Sequence, residues 1–105
     1  MEAVYFIARY DITDPDRYER DYVPGVVATL AAVGGEVIVA SGSTIQIEGA
    51  APGHTVVVRF PSEQAFRGWY DSDLYAPLRQ VRFDTTANRS AVVVHEFPGL
   101  PQPRR

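Results

Sequence analysis

The sequence predicts a single α+β domain whose elements follow in the order β-α-β-β-α-β, the split βαβ pattern. Three observations lead to this prediction. The chain has 105 residues, which is the length of one domain. Four short stretches are rich in valine and aromatic residues, as strands are. Two stretches with a helical spacing of apolar residues lie between the first and second and between the third and fourth of these strands.

The first strand is expected over residues 3–10, and a helix start follows it. Asp14 is a favourable N-cap, and Pro15 suits the first helical turn, where its missing N–H costs nothing. The helix is expected over residues 15–33 and ends at a Gly-Gly pair, a common C-terminal signal. Pro24 lies inside this helix, so we predict a kink near its middle.

The other strands are expected at residues 36–40, 54–60 and 91–97. Residues 44–48 should continue the second strand as an extended segment beyond a bend. We expect residues 1–97 to form the domain. Residues 98–105 are rich in proline and should form an extended or disordered tail.

The second helical region is expected to contain two short helices. Ser62 can cap the first, which reaches Trp69. A polar break at residues 71–73 separates it from the second helix, which tolerates Pro77 only in its first turn. The second helix should bury an apolar stripe formed by Leu74, Leu78 and Val81.

Side-chain alternation assigns the strand residues to two faces. The face that should carry the helices comprises Val4, Phe6, Ala8, Val56, Val58, Phe60, Val92 and Val94. The other face comprises Tyr5, Ile7, Arg9, Ile38, Thr55, Val57, Arg59, Val93, His95 and Phe97. This second face is too apolar to meet water alone and too polar for a sealed core. We therefore expect a homodimer in which two sheets pack together; the alternative is a monomer whose tail covers this face.

Composition excludes several classes of function. The ten basic residues are all arginine against 13 acidic residues, and the net charge of −3 gives nucleic-acid binding little support. The chain has no cysteine and two histidines, so disulfides and thiolate metal sites are excluded. No apolar run approaches the length of a membrane span. We expect a cytoplasmic bacterial protein with no metal site, no bound cofactor and no membrane or nucleic-acid partner.

One group of motifs resembles a known family. Phe60-Pro61-Ser62 opens the second helical region, Trp69-Tyr70-x-Ser72-x-x-Tyr75 follows, and Arg79 lies one turn later. Together with the Asp-Pro helix start, the mid-helix proline, the Gly-Gly pair and Glu48-Gly49, these residues resemble the bacterial family called domain of unknown function 1330. The resemblance implies a ferredoxin-like fold that pairs into a dimeric α+β barrel. It implies no agreed activity, although related barrels include cofactor-free monooxygenases, lactone isomerases and haem enzymes.

The first candidate site lies on the second helical region. Tyr75 and Arg79 are four residues apart, so we expect them on one helix face. Arginine can clamp an anion, and tyrosine can donate a hydrogen bond or a proton. Trp69, Ser72 and Tyr18 are expected nearby, which gives the mixture of aromatic and polar groups typical of small-molecule pockets.

Each of these residues also has a structural interpretation. Arg79 can pair with a carboxylate such as Asp71 or Glu48 and hold the fold together. Ser72 is a good helix cap, and Trp69 suits a core position.

The second candidate site lies on the dimer-facing side of the sheet. If the first and third strands run parallel, Arg9 and Arg59 lie side by side near their ends. Two close guanidinium groups need an acidic ligand or a carboxylate partner, for which the candidates are Glu36, Glu48 and Glu96. His95 is expected near Tyr5, as a general base or a hydrogen-bonded interface residue. His54 is expected to be solvated.

These residues support two functional hypotheses. The first is a cofactor-independent enzyme of isomerase, cyclase or monooxygenase type. It would act on a small substrate bearing a carbonyl or carboxylate, with Tyr75, Arg79 and His95 as catalytic residues. The second is a ligand-binding or interaction protein without catalysis. A haem or metal oxygenase is disfavoured by the scarcity of ligands.

Overall fold

The computed structural model describes residues 2–50 and 52–98. Its strands are β1 (Val4–Ile12), β2 (Glu36–Ser41), β3 (His54–Phe60) and β4 (Thr86–His95). They form one antiparallel sheet in the order β2-β3-β1-β4. The expected ferredoxin-like α+β fold is confirmed. The expected tail lies, apart from Pro98, outside the described residues.

β1 and β3 are adjacent but antiparallel, so the expectation of parallel strands is wrong. The first helical segment carries the chain back, β2 then runs in the direction of β1, and β3 reverses it. The register pairs Tyr5 with Arg59 and Arg9 with Thr55. Arg9 and Arg59 therefore lie towards opposite ends of the paired strands rather than side by side.

The faces of β4 are also opposite to those expected. Its register pairs Phe6 with Val93 and Val4 with His95. Directly paired residues share a face, so Val93 and His95 lie on the helix side of the sheet. The residues on the other side are Val92 and Val94. The sequence of β4 could not decide this, because a run of three valines shows no alternation of polarity.

The first helical segment consists of α1 (Pro15–Arg17), a π-helical turn (Tyr18–Tyr22) and α2 (Val23–Ala31). Asp14 caps it as expected, accepting a bond from the Arg17 N–H at 3.2 Å. Where the sequence predicted a kink at Pro24, the helix contains a π turn. In this turn the Val23 N–H donates to the Tyr18 carbonyl, five residues back. The wider turn accommodates a residue that lacks an N–H and would clash with the preceding turn.

The second helical region contains α3 (Glu63–Tyr70) and α4 (Ala76–Thr85). Ser62 caps α3 by accepting from the Ala65 N–H at 3.1 Å, and Pro77 lies in the first turn of α4, both as expected. Leu74 is 71% exposed and does not belong to the buried stripe. The stripe members that do pack against the core are Leu78 and Val81.

The sheet has a helix-covered face and an uncovered face. The helix-covered face supplies the core residues Val4, Phe6, Ala8, Tyr10, Val58 and Phe60, each at most 5% exposed. The uncovered face, called the open face below, comprises Tyr5, Ile7, Arg9, Val39, Thr55, Val57, Arg59, Val92 and Val94. Among the described residues no helix is long and apolar enough to cross a lipid bilayer.

Candidate functional site

A cavity of about 120 Å³ lies between the sheet and the first helical segment, and its wall is almost entirely carbon. The sheet lines it with Phe6, Val56 and Val58. The helix α2 lines it with Val23, Val26 and Leu30. The aromatic part of the wall consists of Tyr10, Tyr18, Tyr22 and Trp69.

The cavity opens between α2 and the edge strand β2. The lining residues exposed to solvent are Val27, Val37 and Ala40. Every residue of β2 before Ser41 is exposed, because the helices cover the central strands and leave this edge strand uncovered. The apolar side chains of α2 and β2 thus form a mouth through which a small molecule can enter.

Four tyrosine hydroxyls form two hydrogen-bonded pairs beside this cavity. The Tyr10 and Tyr18 oxygens are 2.6 Å apart, and those of Tyr22 and Tyr75 are 2.8 Å apart. The π turn carries Tyr18 and Tyr22, and π turns occur often at functional sites. Three of these tyrosines line the cavity, whereas Tyr75 lies behind them and is fully buried.

Arg82 completes this cluster, and the sequence reasoning missed it. It is 3% exposed, and its Nε donates to the Tyr75 hydroxyl at 3.3 Å. Its guanidinium carbon lies 5.7 Å from the centre of the Tyr10 ring. Burial lowers the pKa of Arg82, but Tyr75 and Tyr22 outweigh this effect and leave the pKa raised. No carboxylate among the described residues forms a salt bridge with this buried cation.

A signal for Arg82 was present in the sequence. In a helix with 3.6 residues per turn, Arg82, seven positions after Tyr75, points about 20° away from the direction of Tyr75 around the helix axis. Arg79, four positions after Tyr75, points about 40° away from it. Arg82 therefore suits the direction of Tyr75 better than Arg79 does. The charge of Arg82 nevertheless favours an exposed position, because arginine is rarely buried without a partner.

Burial raises the pKa of Tyr10, Tyr18 and Tyr22 above the ordinary tyrosine value. The phenols therefore stay protonated at neutral pH and act as hydrogen-bond donors and acceptors. Their hydroxyls and Arg82 form a polar cluster behind the apolar wall of the cavity.

His54 contributes to the same region, so the expectation that it is solvated is wrong. It is paired with Tyr10 across β1 and β3, which places it on the helix side. Its ring stacks on Tyr10 with centroids 5.4 Å apart and meets the edge of Tyr18 at 5.9 Å. This partial burial lowers the pKa of His54.

Arg79 does not form the expected clamp. It is half-buried, donates to the backbone carbonyl of Tyr70, and lies over the Tyr70 ring at 5.0 Å. Pairing with Asp71 or Glu48 is not observed within the described residues. Arg79 approaches the Tyr75 ring at 6.0 Å, but the Tyr75 hydroxyl bonds Tyr22 and Arg82 instead.

Of the neighbours proposed for that site, Trp69 and Tyr18 line the cavity and Ser72 does not. The Trp69 indole N–H donates to the Thr29 hydroxyl at 3.0 Å, and its ring packs on Tyr75 with centroids 4.0 Å apart. Ser72 Oγ donates to the Trp69 carbonyl at 2.8 Å and accepts from the Tyr75 N–H at 3.1 Å. Ser72 thus performs the capping role that was its structural alternative.

Arg9 and Arg59 lie on the open face with separate partners. Arg9 donates to Thr55 Oγ1 at 3.1 Å and to Gln46 Oε1 at 3.2 Å. Arg59 pairs with Glu96 at 3.5 Å, which is one of the expected carboxylates and belongs to the same chain. Arg9 also borders a wide, open cavity of about 440 Å³ formed with residues 43–48.

His95 does not lie beside Tyr5. It is on the helix side at the edge of the sheet, and its Nδ1 is 2.7 Å from Glu2 Oε1. The His95 side chain is 61% exposed, and this position separates it from both candidate sites. Within residues 2–50 and 52–98, no group of three histidine, aspartate or glutamate side chains is arranged to hold a metal ion.

Residues 3–98 match the family described as "Domain of unknown function (DUF1330)". The protein belongs to this family. No curated protein matches the sequence.

Several solved structures share the fold. A protein of unknown function from Rhodopseudomonas palustris is 15% identical, with 93% of this chain and 85% of that chain covered and a TM-score of 0.70. SnoaB, a cofactor-independent oxygenase from Streptomyces nogalater, is 14% identical, with coverages of 97% and 100% and a TM-score of 0.68. A dimeric ferredoxin-like protein of unknown function from Thermobifida fusca is 18% identical, with coverages of 90% and 92% and a TM-score of 0.57. At these identities the likeness concerns the fold alone.

Proposed function

We propose that the protein binds a small, single-ring organic molecule in the cavity between α2 and β2. The observation that carries this proposal is an apolar cavity of about 120 Å³ with a mouth at Val27, Val37 and Ala40. An engineered apolar cavity of about 150 Å³ binds benzene, so one ring matches the size. The aromatic wall favours a flat, apolar ligand.

The proposal is tested by a variant in which a larger side chain fills part of the cavity. Binding of 4-fluorotoluene is measured by ¹⁹F NMR for the wild type and for Val26→Phe, whose larger side chain occupies part of the cavity. The matched control is Val93→Phe, the same change on β4, away from the cavity wall. We expect binding to the wild type and the control, and at least a tenfold loss in Val26→Phe. Equal binding by all three proteins, or none by the wild type, contradicts the proposal.

A second candidate function is cofactor-independent acid–base catalysis on the bound molecule. It is favoured by the buried phenol pairs beside the cavity and by the cation of Arg82. Tyr75 keeps the catalytic role proposed from the sequence, but through Tyr22 rather than Arg79. SnoaB supports the idea only as an enzyme of the same fold. The test is turnover of a phenolic substrate, which Tyr22→Phe should abolish.

We also infer that the protein is a homodimer formed through the open face. Val92 is 54% exposed, Val94 41% and Val39 37%, and together with Ile7 and Val57 they form an apolar surface that disfavours contact with water. Two of the solved structures of this fold are described as dimeric. A dimer through this face leaves the mouth of the cavity, on the opposite side of the sheet, free for a ligand.

A further inference from the structure

We infer that residues 43–48 form an arm that packs on the open face of a second copy of the chain, with Ile45 and Ile47 against Val92 at the β4 edge. This inference rests on the proposed homodimer and adds the segment and the contact that stabilise it. The partner is an identical chain, and each subunit contributes one arm to the other.

The arm is an exposed segment that carries two large apolar side chains. It follows β2, and its residues 44–48 read Thr-Ile-Gln-Ile-Glu. This alternation is typical of an extended segment with one covered side. Ile45 is 88% exposed and Ile47 82%, more than any other large apolar residue in the described part of the chain. The arm therefore has an apolar row that its own subunit leaves uncovered.

The arm stands on the open-face side of the sheet. Gln46 Oε1 accepts from Arg9, a residue of the open face, at 3.2 Å. The arm also borders the wide cavity of about 440 Å³ together with Val39 of the same face. The polar row thus contacts its own subunit. Since side chains alternate along an extended segment, Ile45 and Ile47 are left for a chain that approaches the open face.

The open face alone is small for a stable interface. Four strands about 4.8 Å apart and about seven residues long cover a flat area of roughly 450 Å². Most residues of this face are half-buried by their neighbours, so its accessible area does not greatly exceed that figure. Stable protein interfaces bury about 800 Å² per partner. The arm supplies apolar area that the face lacks, because its two isoleucines are almost fully exposed.

The β4 edge of the second copy is the surface that matches the arm. Val92 is the most exposed valine of the open face, at 54%. The strand order places β4 at the edge opposite β2, so the arm of the same chain lies at the far edge from Val92. A twofold axis parallel to the strands places the β2 edge of each sheet over the β4 edge of the other. The isoleucines of each arm then cover the valine that the other subunit exposes.

The dissociation constant of the dimer tests the arm. It is measured by analytical ultracentrifugation over a dilution series for the wild type, the double variant Ile45→Ser/Ile47→Ser, and Leu74→Ser. We expect the double variant to raise the constant at least about 100-fold, since each dimer would bury four isoleucine side chains. The control, Leu74→Ser, removes another exposed apolar side chain, from the turn between α3 and α4, and should leave the constant within about twofold. Circular dichroism checks that each variant is folded.

Cross-linking locates the contact, and the absence of cysteine from the chain makes the reaction specific to the introduced thiols. An untagged chain carrying Ile47→Cys is mixed with a tagged chain carrying Val92→Cys and treated with a short bismaleimide. We expect a covalent dimer of mixed mass. The control is a tagged chain carrying Val93→Cys, on the opposite side of the same strand, which should give little of this product.

The outcomes distinguish the inference from the dimer itself. If the wild type is a monomer at micromolar concentration, both the homodimer and the arm contact are wrong. If the wild type is a dimer and Ile45→Ser/Ile47→Ser leaves the dissociation constant unchanged, the inference is wrong and the open-face dimer stands. If the double variant does not fold, the cross-linking decides, and equal products from Val92→Cys and Val93→Cys overturn the inference.

Discussion

The helix-covered face and the open face are built from alternating residues of the same strands, yet their polar groups are arranged differently. On the helix-covered side Arg82 is buried among tyrosine hydroxyls. On the open face Arg59 is 40% exposed and pairs with the carboxylate of Glu96. The first arrangement keeps an uncompensated charge away from water, which is costly and suits a binding site. The second is an ordinary surface pair of small energetic value.

The two faces also differ in what they leave incomplete. The helix-covered face has a buried core and, beside it, a cavity of single-ring size. The open face is uncovered along its length and exposes several valines. The two proposals assign a different partner to each face: a small molecule to the helix-covered side of the sheet and a second copy of the chain to the open face.

The largest effect is expected from truncating the closed core. Phe6 is 5% exposed and packs against Phe66 and Trp69, with ring centroids 5.3 and 6.0 Å apart. Phe6→Ala should lower the free energy of unfolding by about 3–5 kcal/mol, measured by urea denaturation. The control is Leu74→Ala, at an exposed position, which should cost less than about 0.5 kcal/mol. Similar losses in both variants would contradict the assignment of the core.

The next effect concerns the open face and the dimer. Val92→Glu places a charge on this face, whereas Val93→Glu makes the same change on the opposite side of the same strand. We expect a wild-type dimer in light scattering at micromolar concentration, a monomeric Val92→Glu, and a dimeric Val93→Glu. A monomeric wild type, or a Val92→Glu protein that remains dimeric, would rule out this interface.

The smallest expected effect is the pH dependence of stability that arises from His54. Burial lowers the pKa of His54 below its ordinary value of 6.5, so the unfolded chain takes up this proton first as the pH falls. The contribution of neutral His54 to the free energy of unfolding is therefore complete above pH 6.5 and is lost as the pH decreases. Urea denaturation between pH 7.5 and 5 should show this decrease, which His54→Gln should reduce. His95→Gln, which leaves His54 in place, should retain it; an unchanged pH profile in His54→Gln would refute the assignment.

Local signals predicted much of the fold. The helix caps at Asp14 and Ser62 were predictable because a side-chain oxygen just before a helix accepts a hydrogen bond from a backbone N–H of the first turn. The orientation of β4 was not readable, because three consecutive valines fit either face. The antiparallel direction of β3 relative to β1 was deducible from the order of the elements, and the prediction of parallel strands was wrong.

The candidate site was predictable only in part. Trp69, Tyr75 and Tyr18 were identified, since aromatic residues on helices that face one sheet converge in its core. Arg79 was chosen over Arg82 by sequence spacing to Tyr75, although the rotation of the helix favours Arg82. The π turn, which positions Tyr18 and Tyr22, has no simple sequence signature beyond the proline that follows it.

The most direct test of the account is a crystal structure of the protein soaked with bromobenzene, in which anomalous scattering locates the bromine. We predict a bromine peak between α2 and β2, in contact with Val26 and Phe6, and open faces packed against each other in the dimer. A peak only on the open face or beside Arg79, with the cavity between α2 and β2 empty, would contradict the account.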